Sequence, residues 1–259
     1  MGQVTYTQVY NRIKALAGIP SPDANAQTQI TEYVNRRAKT AYEATDFWPR
    51  WLVVGEFRNY SSTTVNATAL VTGYTYTILT VGTTNWTLVG AASNTVGVTF
   101  VASGVGTGTG TATWNSNIIP FTQAGLDEVD KFIRIHKVYQ PFYQNSSVEV
   151  EFYVTNSGAH VICDPSSTTA SAYVSYRKAW DGPYTSVSTN IPDEWFNYIA
   201  HGAYADWLRA DGKNEIASLE DKNADEFLQQ EMSEVDVTRS IGIVAHRIST
   251  HLSRSFRRN

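Results

Sequence analysis

Residues 191–236 read IPDEWFNYIAHGAYADWLRADGKNEIASLEDKNADEFLQQEMSEVD, and they contain two helically periodic runs with a turn signal between them. Pro192 suits the first position of a helix, and the carboxylates of Asp193 and Glu194 favour the positive end of a helix dipole. Between two helically periodic runs, Asp211 and Gly212 form a turn signal. The stretch therefore predicts a hairpin of two antiparallel helices.

Each of the two predicted helices has one apolar face. On the first helix this face consists of Phe196, Ile199, Ala200, Ala203 and Trp207. On the second helix it consists of Ile216, Leu219, Ala224, Phe227 and Leu228. We expect both faces to be buried, and we assign four large aromatic side chains of the hairpin to the core rather than to a ligand site: Trp195, Phe196, Trp207 and Phe227.

The sign of the charge reverses after this hairpin. From residue 214 to residue 236 there are eight carboxylates and one lysine, whereas from residue 237 to residue 259 there are five arginines and no carboxylate. The second segment, VTRSIGIVAHRISTHLSRSFRRN, has no sustained helical stripe but carries apolar residues between its arginines. A segment that binds a partner has this composition, and so does a frayed and solvated terminus. In either case we expect residues 237–259 to be disordered in the free chain, and a binding segment would become ordered on its partner.

Composition limits the class of protein. The chain has 259 residues, an ordinary apolar fraction and a net charge of −4, which suffices for a buried core and argues against a generally basic nucleic-acid binder. Its one cysteine, Cys163, cannot form an internal disulfide, which indicates a reducing compartment. No stretch is apolar enough for long enough to span a bilayer or to act as a secretion signal.

Two further helices are predicted before the hairpin. Thr5 followed by Gln8 matches a capping box, and Gly18 ends the apolar repeat that follows. Asp23 suits the N-cap of the second helix, which should end near Trp48 because the residue before a proline avoids helical dihedral angles. An extended segment is expected to follow.

The middle of the chain has a different composition. Between Arg58 and Asp127 there is no charged residue, and short runs rich in threonine, valine and aromatic residues alternate with glycine, asparagine and serine. This pattern is typical of a small all-β module, which we place at residues 67–113 as an insertion in a loop between strands. After Asp127, four runs rich in β-branched and aromatic residues predict an antiparallel sheet: KFIRIHKVY, SVEVEFYV, AHVIC and SAYVSYRKAW.

The predicted fold class is therefore α+β. A helical bundle (two N-terminal helices plus a C-terminal helical hairpin) is combined with an antiparallel β-sheet and an inserted all-β module. The corresponding domains are a body of residues 1–66 and 114–236, the module of residues 67–113, and a basic C-terminal tail of residues 237–259.

Few residues in the sequence suggest a catalytic, phosphate-binding or metal-binding site. The glycine run of residues 104–110 is not followed by Lys-Ser or Lys-Thr, so it does not match a phosphate-binding loop and is more typical of a turn or a close approach of strands. His160 and Cys163 have a spacing that can begin a zinc site, but no second cluster of ligands accompanies them. His201 lies on a predicted helix among small residues and tyrosine, which favours a packing role.

Three pairs of adjacent carboxylates also need an interpretation, because paired carboxylates can act as acid and base. We interpret them as helix caps or solvated helix faces: Asp193-Glu194, Glu220-Asp221 and Asp225-Glu226. The sequence therefore predicts no catalytic residue, no cofactor, no metal ion and no enzymatic activity.

Several segments of the sequence resemble those of a known family. They are YTQVYNRIKALAGI near the start, EYVNRRAKTAYEATDFWPRW in the second helix, AYVSYRKAW in a strand, and IPDEWFNYIAHGAYADWLRADGKNEIA followed by ADEFLQQEM. In this order and spacing they resemble the head-to-tail connector (adaptor) proteins of tailed bacteriophages, the tail tubular protein A-like family. The resemblance covers most of residues 1–58 and 127–236. The uncharged module departs from the minimal adaptor and is similar to a small β module of phage structural proteins.

The resemblance implies a virion structural protein of the neck, between head and tail, that is assembled in the host cytoplasm. Such adaptors form a ring, usually of twelve copies, beneath the portal protein. Genomic DNA passes through the channel without sequence-specific binding, a downstream tail or nozzle protein attaches below, and no membrane is involved. The acidic hairpin would line the channel. The C-terminal segment would dock into the portal through Arg239, Ile241, Ile243, Val244, Arg247, Ile248, Leu252, Arg254, Phe256, Arg257 and Arg258.

A binding protein is the alternative. The aromatic residues of the uncharged insert could form a platform for a glycan or a host receptor, which would make the chain a tail-associated receptor-binding or decoration protein. These residues are Tyr74, Tyr76, Trp86, Phe100 and Trp114. An adaptor is expected to be monomeric alone and to form rings with the portal, whereas a fibre-like protein is expected to form trimers alone.

Overall fold

A computed structural model describes residues 2–136, 149–162 and 171–255, with the backbone alone at residue 115 and from residue 236 onward. As predicted, the fold is α+β, with helices and several antiparallel sheets. The described helices are α1 (Tyr6–Ala17), α2 (Ala24–Ala44), α3 (Phe196–Ala210) and α4 (Asn214–Ser255). The described strands are β1 (Gln3–Val4), β2 (Leu52–Asn59), β3 (Ser62–Asn66), β4 (Thr75–Thr80), β5 (Thr99–Val101), β6 (Thr111–Asn115), β7 (Ile118–Ile119), β8 (Val129–His136), β9 (Phe152–Thr155), β10 (Gly158–Val161), β11 (Ser171–Lys178) and β12 (Ile191–Pro192).

Contacts divide the chain into two compact units. The helical unit consists of Met1–Trp51 and Trp180–Asn259, and the β unit consists of Leu52–Ala179. The strands of the predicted body thus group with the module rather than with the helices. The separability of residues 67–113 as an insertion stays a prediction.

Local signals place the first two helices of the helical unit. The side chain of Thr5 accepts a hydrogen bond from the backbone N–H of Gln8, and the side chain of Gln8 accepts one from the backbone N–H of Thr5, so the predicted capping box is confirmed. Gly18 ends α1 in the left-handed conformation with φ 69°. Asp23 caps α2 as predicted, by accepting a hydrogen bond from the backbone of Ala26.

The core of the helical unit forms around α3, which packs against α1, α2 and α4. Three tryptophans fill its centre. The rings of Trp51 and Trp195 stack at 4.6 Å, and Trp48 meets Trp195 edge-on at 5.6 Å. Trp195 is buried, whereas Phe196, Trp207 and Phe227 are partly buried and pack against the same core, so the assignment of these four aromatic residues to the core is confirmed.

The entry into the hairpin differs from the prediction. Ile191 and Pro192 form β12, which pairs antiparallel with β1 through Val4 and Gln3. A single 3-10 turn over Asp193–Trp195 follows, and the α-helix begins only at Phe196. Proline fixes φ but not ψ, and at Pro192 ψ is 134°, which continues the strand instead of starting the helix.

The buried face of α4 agrees with the prediction at Ala224, Leu228 and partly buried Phe227, but not in its first two turns. Ile216 and Leu219 are exposed, at 51% and 59%. The buried positions are Ala217, Ala224 and Leu228. The small side chains of the two alanines allow α4 to lie close to α3, and this sets the rotation of the helix. Hydrophobicity alone favours isoleucine and leucine over alanine, which explains the error.

The largest correction concerns the C-terminal segment. The expected break after Asp236 is absent from the described backbone, because α4 continues as one helix to Ser255. The expectation of a disordered segment without helical character is therefore wrong for residues 237–255. Extension of an existing helix avoids the cost of nucleation, and this segment contains no proline.

The β unit contains three antiparallel sheets in its described residues. Their strand orders are β2-β11-β8, β7-β10-β9 and β3-β6-β4-β5. The predicted pairing of the extended segment after Trp48 with the later strands is confirmed, since β2 pairs with β11. The later strands were expected in a single sheet, and this is wrong: β9 and β10 form a hairpin that pairs with β7, while β8 pairs with β11.

The four-stranded sheet runs from Ser62 to Asn115 and has a hydrophobic core of its own. Trp86 is at its centre, fully buried, with the ring of Phe100 edge-on at 5.7 Å. The glycine run is a close-approach segment, as expected. A Cβ atom at Gly110 would lie 2.5 Å from the carbonyl oxygen of Val81, so only glycine fits at this position.

Candidate functional site

The helical unit contains an ion network that joins three helices around the buried carboxylate of Asp206. Arg37 on α2 donates through Nε and Nη2 to the carboxylate of Asp206 on α3, at 2.8 and 2.7 Å. The same Nη2 donates to Asp221 on α4 at 2.7 Å. Asp206 is buried. The position of α4 is therefore fixed to the bundle by charges as well as by apolar packing.

Two more arginines complete the network. Arg36 lies 2.7 Å from Asp206, and Arg209 pairs with both Asp206 and Asp221. Burial raises the pKa of Asp206, but hydrogen bonds from Arg37 and Arg36 outweigh burial, so the pKa of this carboxyl is lowered. Asp206 is consequently ionised at neutral pH and holds the surrounding guanidinium groups in place.

A glycine makes this network possible. Gly202 lies one turn before Asp206 on α3, and a Cβ atom there would be 2.9 Å from Cδ of Arg37. The Arg37 side chain passes over α3 at this point to reach Asp206. Gly202 therefore serves close packing inside a helix, where glycine otherwise costs stability.

Glu220 and Asp221, interpreted from the sequence as a cap or solvated face, both bind neighbouring helices. Nδ1 of His201 on α3 lies 2.7 Å from Oε2 of Glu220, and the His201 ring packs beside that of Phe227. The interpretation is wrong for this pair. His201 has a helix-packing role, in agreement with the interpretation made from the sequence.

The β unit contains a fully buried arginine, Arg58, that the sequence analysis did not single out. The guanidinium of Arg58 lies 4.4 Å from the ring centre of Tyr176 and donates to Glu56 and to the hydroxyl of Tyr176. Burial, together with the hydrogen bond to Glu56, raises the pKa of Tyr176 to about 12. Arg58 also donates to the backbone carbonyl of Asp127. This cluster ties β2, β11 and the start of β8 together, which is a structural role.

The sequence analysis singled out His160 and Cys163 as residues whose spacing can begin a zinc site. His160 bonds through Nδ1 to the hydroxyl of Tyr153 on the neighbouring strand. Cys163, its suggested partner, is outside the described residues. Among the described side chains, those of residues 2–114, 116–136, 149–162 and 171–235, no group of three or more His, Cys, Asp or Glu residues is placed to hold a metal ion. The absence of enzymatic activity stays a prediction.

The aromatic platform of the alternative function is wrong for three of its five residues. Tyr76, Trp86 and Phe100 are buried in the core of the four-stranded sheet. Tyr74 and Trp114 are half-buried and stack on each other, with ring centres 5.6 Å apart and planes at 7°. These aromatic side chains mainly stabilise the sheet.

The predicted docking residues lie partly within α4. The helical backbone includes Arg239, Ile241, Ile243, Val244, Arg247, Ile248, Leu252 and Arg254, whereas Phe256, Arg257 and Arg258 are outside the described residues. In a helix, positions 241, 244, 248 and 252 share one face, and positions 239, 247 and 254 share another. This periodicity is hard to recognise in the sequence, because Gly242 interrupts the apolar run and Ile243 falls on the same side as the arginines.

The length of α4 sets it apart from the other helices. It has 42 residues, which corresponds to about 63 Å, whereas α3 has 15 residues, or about 22 Å. Partly buried Met232 and Val235 pack against the core, so the acidic half of α4 is anchored along its whole length. The basic half continues from this anchored part.

No described helix combines the length and the apolar character that a bilayer span requires. The described architecture defines an α+β protein with a charge-linked helical unit and a three-sheet β unit. The chain matches no known family model and no curated protein.

Proposed function

We propose that this chain is a virion structural protein, the head-to-tail adaptor that forms a ring beneath the portal of a tailed bacteriophage. DNA passes through the ring, and tail components attach to it. The observation that carries the proposal is the charge reversal along α4. One continuous helix has an acidic half anchored on the bundle and then a half with arginines and no carboxylate.

The anchored half supplies a rigid base. Glu220 and Asp221 bind side chains of α3 and α2, and Ala224 and Leu228 are buried against the core. A docking element that continues directly from such a base is held in direction and needs little ordering when it binds. Preorganisation of this kind lowers the entropic cost of association.

The basic half supplies the recognition chemistry. Arginine binds carboxylates in a bidentate manner, and charge-assisted hydrogen bonds are stronger than neutral ones. An acidic cleft of the portal is therefore a suitable partner for Arg239, Arg247 and Arg254. The apolar positions at 241, 244, 248 and 252 fit a groove beside these arginines, as an amphipathic helix fits its groove in other complexes.

The order of elements also supports an adaptor. Two N-terminal helices, strands interrupted by an uncharged module, and a closing helical hairpin occur in the order that the family resemblance implies. The net charge of −4 fits a protein that surrounds DNA without holding it, because binding to phosphates requires clustered lysine and arginine.

Removal of the basic half tests the proposal. We expect that the full chain recovers nuclease-treated portal protein of its own phage in a pull-down, whereas a chain ending at Asp236 does not. Circular dichroism of the shortened chain checks that the helical unit is still folded. Equal recovery by both chains would contradict the adaptor function of this segment. Recovery that disappears after nuclease treatment would indicate nucleic-acid binding instead.

A further inference from the structure

We propose that the four-stranded sheet of the β unit pairs edge to edge with the same sheet of a second copy of the chain, through strand β3. The two β3 strands run antiparallel about a twofold axis at Thr64. A twofold contact does not repeat around a ring, so this pairing concerns free copies of the chain and does not rest on the proposed function.

Strand β3 is an edge of its sheet. The strand order is β3-β6-β4-β5, so β3 pairs with β6 alone. At one end of this pair, the N–H of Ala67 donates to the carbonyl of Gly110 at 2.9 Å. At the other end, the N–H of Ser116 donates to the carbonyl of Ser61 at 2.9 Å. Because hydrogen-bonded pairs alternate along antiparallel strands, the odd-numbered residues of β3 bond to β6 and the even-numbered ones point outward.

The outward backbone groups of β3 are open to an added strand. Within the part of the chain that the structure describes, the N–H groups of Ser62, Thr64 and Asn66 have no hydrogen-bond partner. The carbonyls of Ser62 and Thr64 are also unpaired there. The side chains of all three residues are exposed. The strand has no lysine, proline or β-bulge, which are features by which natural edge strands resist pairing.

The opposite edge of the sheet is covered. Strand β5 has three residues, Thr99–Val101, and the turn at residues 89–90 packs against its end. A Cβ atom at Gly90 would lie 2.4 Å from the carbonyl oxygen of Val101. Beyond the strand, the N–H of Ser103 donates to the carbonyl of Val89 at 2.9 Å. This turn leaves no room for a strand beside Val101, so β3 is the edge that can pair.

A row of threonine side chains crosses the sheet from one edge to the other. Thr64 lies opposite Thr113, and Thr77 lies opposite both Thr113 and Thr99. The hydroxyls of Thr77 and Thr99 are 3.0 Å apart. Directly opposite residues project from the same face of a sheet, and cross-strand Thr–Thr pairs stabilise it. A twofold axis at Thr64 places this residue against Thr64 of the second copy, so the row continues through both sheets.

These features select a second copy as the added strand. In the twofold arrangement Thr64 pairs with its own counterpart and Ser62 lies opposite Asn66, so each outward N–H meets a carbonyl. There is no charged residue between Arg58 and Asp127, so two such sheets meet without the like-charge repulsion expected of a chain with net charge −4. A charged peptide would find no ion-pair partner at this edge.

Disulfide trapping in the full chain with Cys163→Ser tests the pairing. Opposite residues that exchange hydrogen bonds have Cα atoms about 5.5 Å apart, a separation that a disulfide can span. We expect Thr64→Cys to form a linked dimer on oxidation at high concentration. Ser62→Cys mixed with Asn66→Cys should give a linked heterodimer, whereas either variant alone should give little. Thr99→Cys, at the covered edge of the same threonine row, is the matched control and should stay monomeric.

A proline variant tests the backbone hydrogen bonds. The N–H of Thr64 points away from β6, so Thr64→Pro removes a donor that the ladder within the sheet does not use. This variant should raise the dissociation constant of self-association by about tenfold, because both hydrogen bonds between the two Thr64 residues are lost. Sedimentation equilibrium measures the dissociation constant, and thermal unfolding checks that the variant is folded.

Three results would overturn the pairing. The first is a folded Thr64→Cys chain that stays monomeric, which would mean that no second copy occupies this edge. The second is equal cross-linking of Thr64→Cys and Thr99→Cys, which would indicate random collision. The third is an unchanged dissociation constant of the folded Thr64→Pro variant. Portal recovery is measured separately with the chain ending at Asp236, so its outcome does not depend on this edge.

Discussion

Arg58 donates a hydrogen bond through Nη2 to the backbone carbonyl of Asp127, and these two residues are the last and first charges on either side of the uncharged part of the sequence. The two ends of that part are therefore close together. Nearer to the four-stranded sheet, the backbones of Ser61 and Ser116 are also bonded, with Ser116 N–H donating to Ser61 carbonyl at 2.9 Å. An insertion with adjoining ends can be removed without stretching the strands that flank it.

The first prediction follows from these adjoining ends. If residues 62–115 are removed and Ser61 is joined to Ser116 by a short Gly/Ser linker, we expect the remaining chain to stay folded. The sheet β3-β6-β4-β5 is removed with its own core, so few contacts of the other cores are lost. Thermal unfolding should show a cooperative transition. Its loss would show that the module belongs to the main core.

The second prediction concerns the tryptophan cluster. Trp195→Ala removes the partner of both Trp48 and Trp51 and should lower the free energy of unfolding by roughly 3–5 kcal/mol. Trp207 is only partly buried, so Trp207→Ala should cost less. Urea unfolding followed by circular dichroism measures both. A folded Trp207→Ala variant that has lost only partner binding would instead mark an exposed interface.

The third prediction concerns the free energy of unfolding at acidic pH. The pKa of Asp206 is lower in the folded chain than its usual 3.8, so the ionised carboxylate stabilises the fold above that value. This stabilisation is lost as the pH falls through the folded pKa. Asp206→Asn leaves the partly buried Arg37 without its main partner and should cost about 3 kcal/mol at neutral pH. The Asp206→Asn variant should also lose less stability than the unaltered chain as the pH falls below 4. Urea unfolding at a series of pH values measures this, and the exposed change Asp225→Asn is the control.

The fourth prediction separates helix propensity from packing. Alanine is a better helix former than glycine by about 1 kcal/mol, so Gly202→Ala would stabilise an isolated helix. Here the new Cβ atom displaces Arg37, and loss of a hydrogen bond to a charged group costs about 1.5–3 kcal/mol. We expect net destabilisation. In an Arg37→Met background the same change should be neutral or stabilising, and equal effects in both backgrounds would contradict the steric explanation.

The fifth prediction concerns the arginines of the basic half. Replacement of Arg247 and Arg254 by glutamine should weaken portal docking, with the difference from the unaltered chain shrinking as salt is raised. The attraction between exposed opposite charges is largely screened beyond about 8 Å at physiological ionic strength, and this distance becomes shorter as salt is added. The exposed α2 residue Lys39, changed to glutamine, serves as the matched control. A salt-independent loss would point to misfolding or to apolar contacts.

The sequence predicted best those features whose conformation depends on residues close by in the chain. The caps at Thr5 and Asp23, the end of α1 at Gly18 and the turn at Asp211-Gly212 depend on neighbouring residues, and the structure has all of them. The ion network of Arg37, Asp206 and Asp221 could not be predicted, because these residues belong to three different helices. Asp206 is not part of the apolar face predicted for the first helix of the hairpin. It becomes buried only because α2 and α4 pack beside α3.

The candidate docking segment shows the same limit. Composition identifies its charge, but its helical periodicity is too weak to predict a helix. Only the continuous backbone of α4 shows that residues 237–255 extend the anchored helix.

The α+β class, the caps and turns, the uncharged segment and the reversal of charge after Asp236 could all be derived from the sequence, because they depend on composition and on contacts within a few residues. The tertiary structure decided the rotation of α4, which buries Ala217 and Ala224 and leaves Ile216 and Leu219 exposed. It also decided the division of the strands into several sheets and the meeting of Arg58 with Asp127. These features depend on how closely distant elements can approach one another, which no local pattern records.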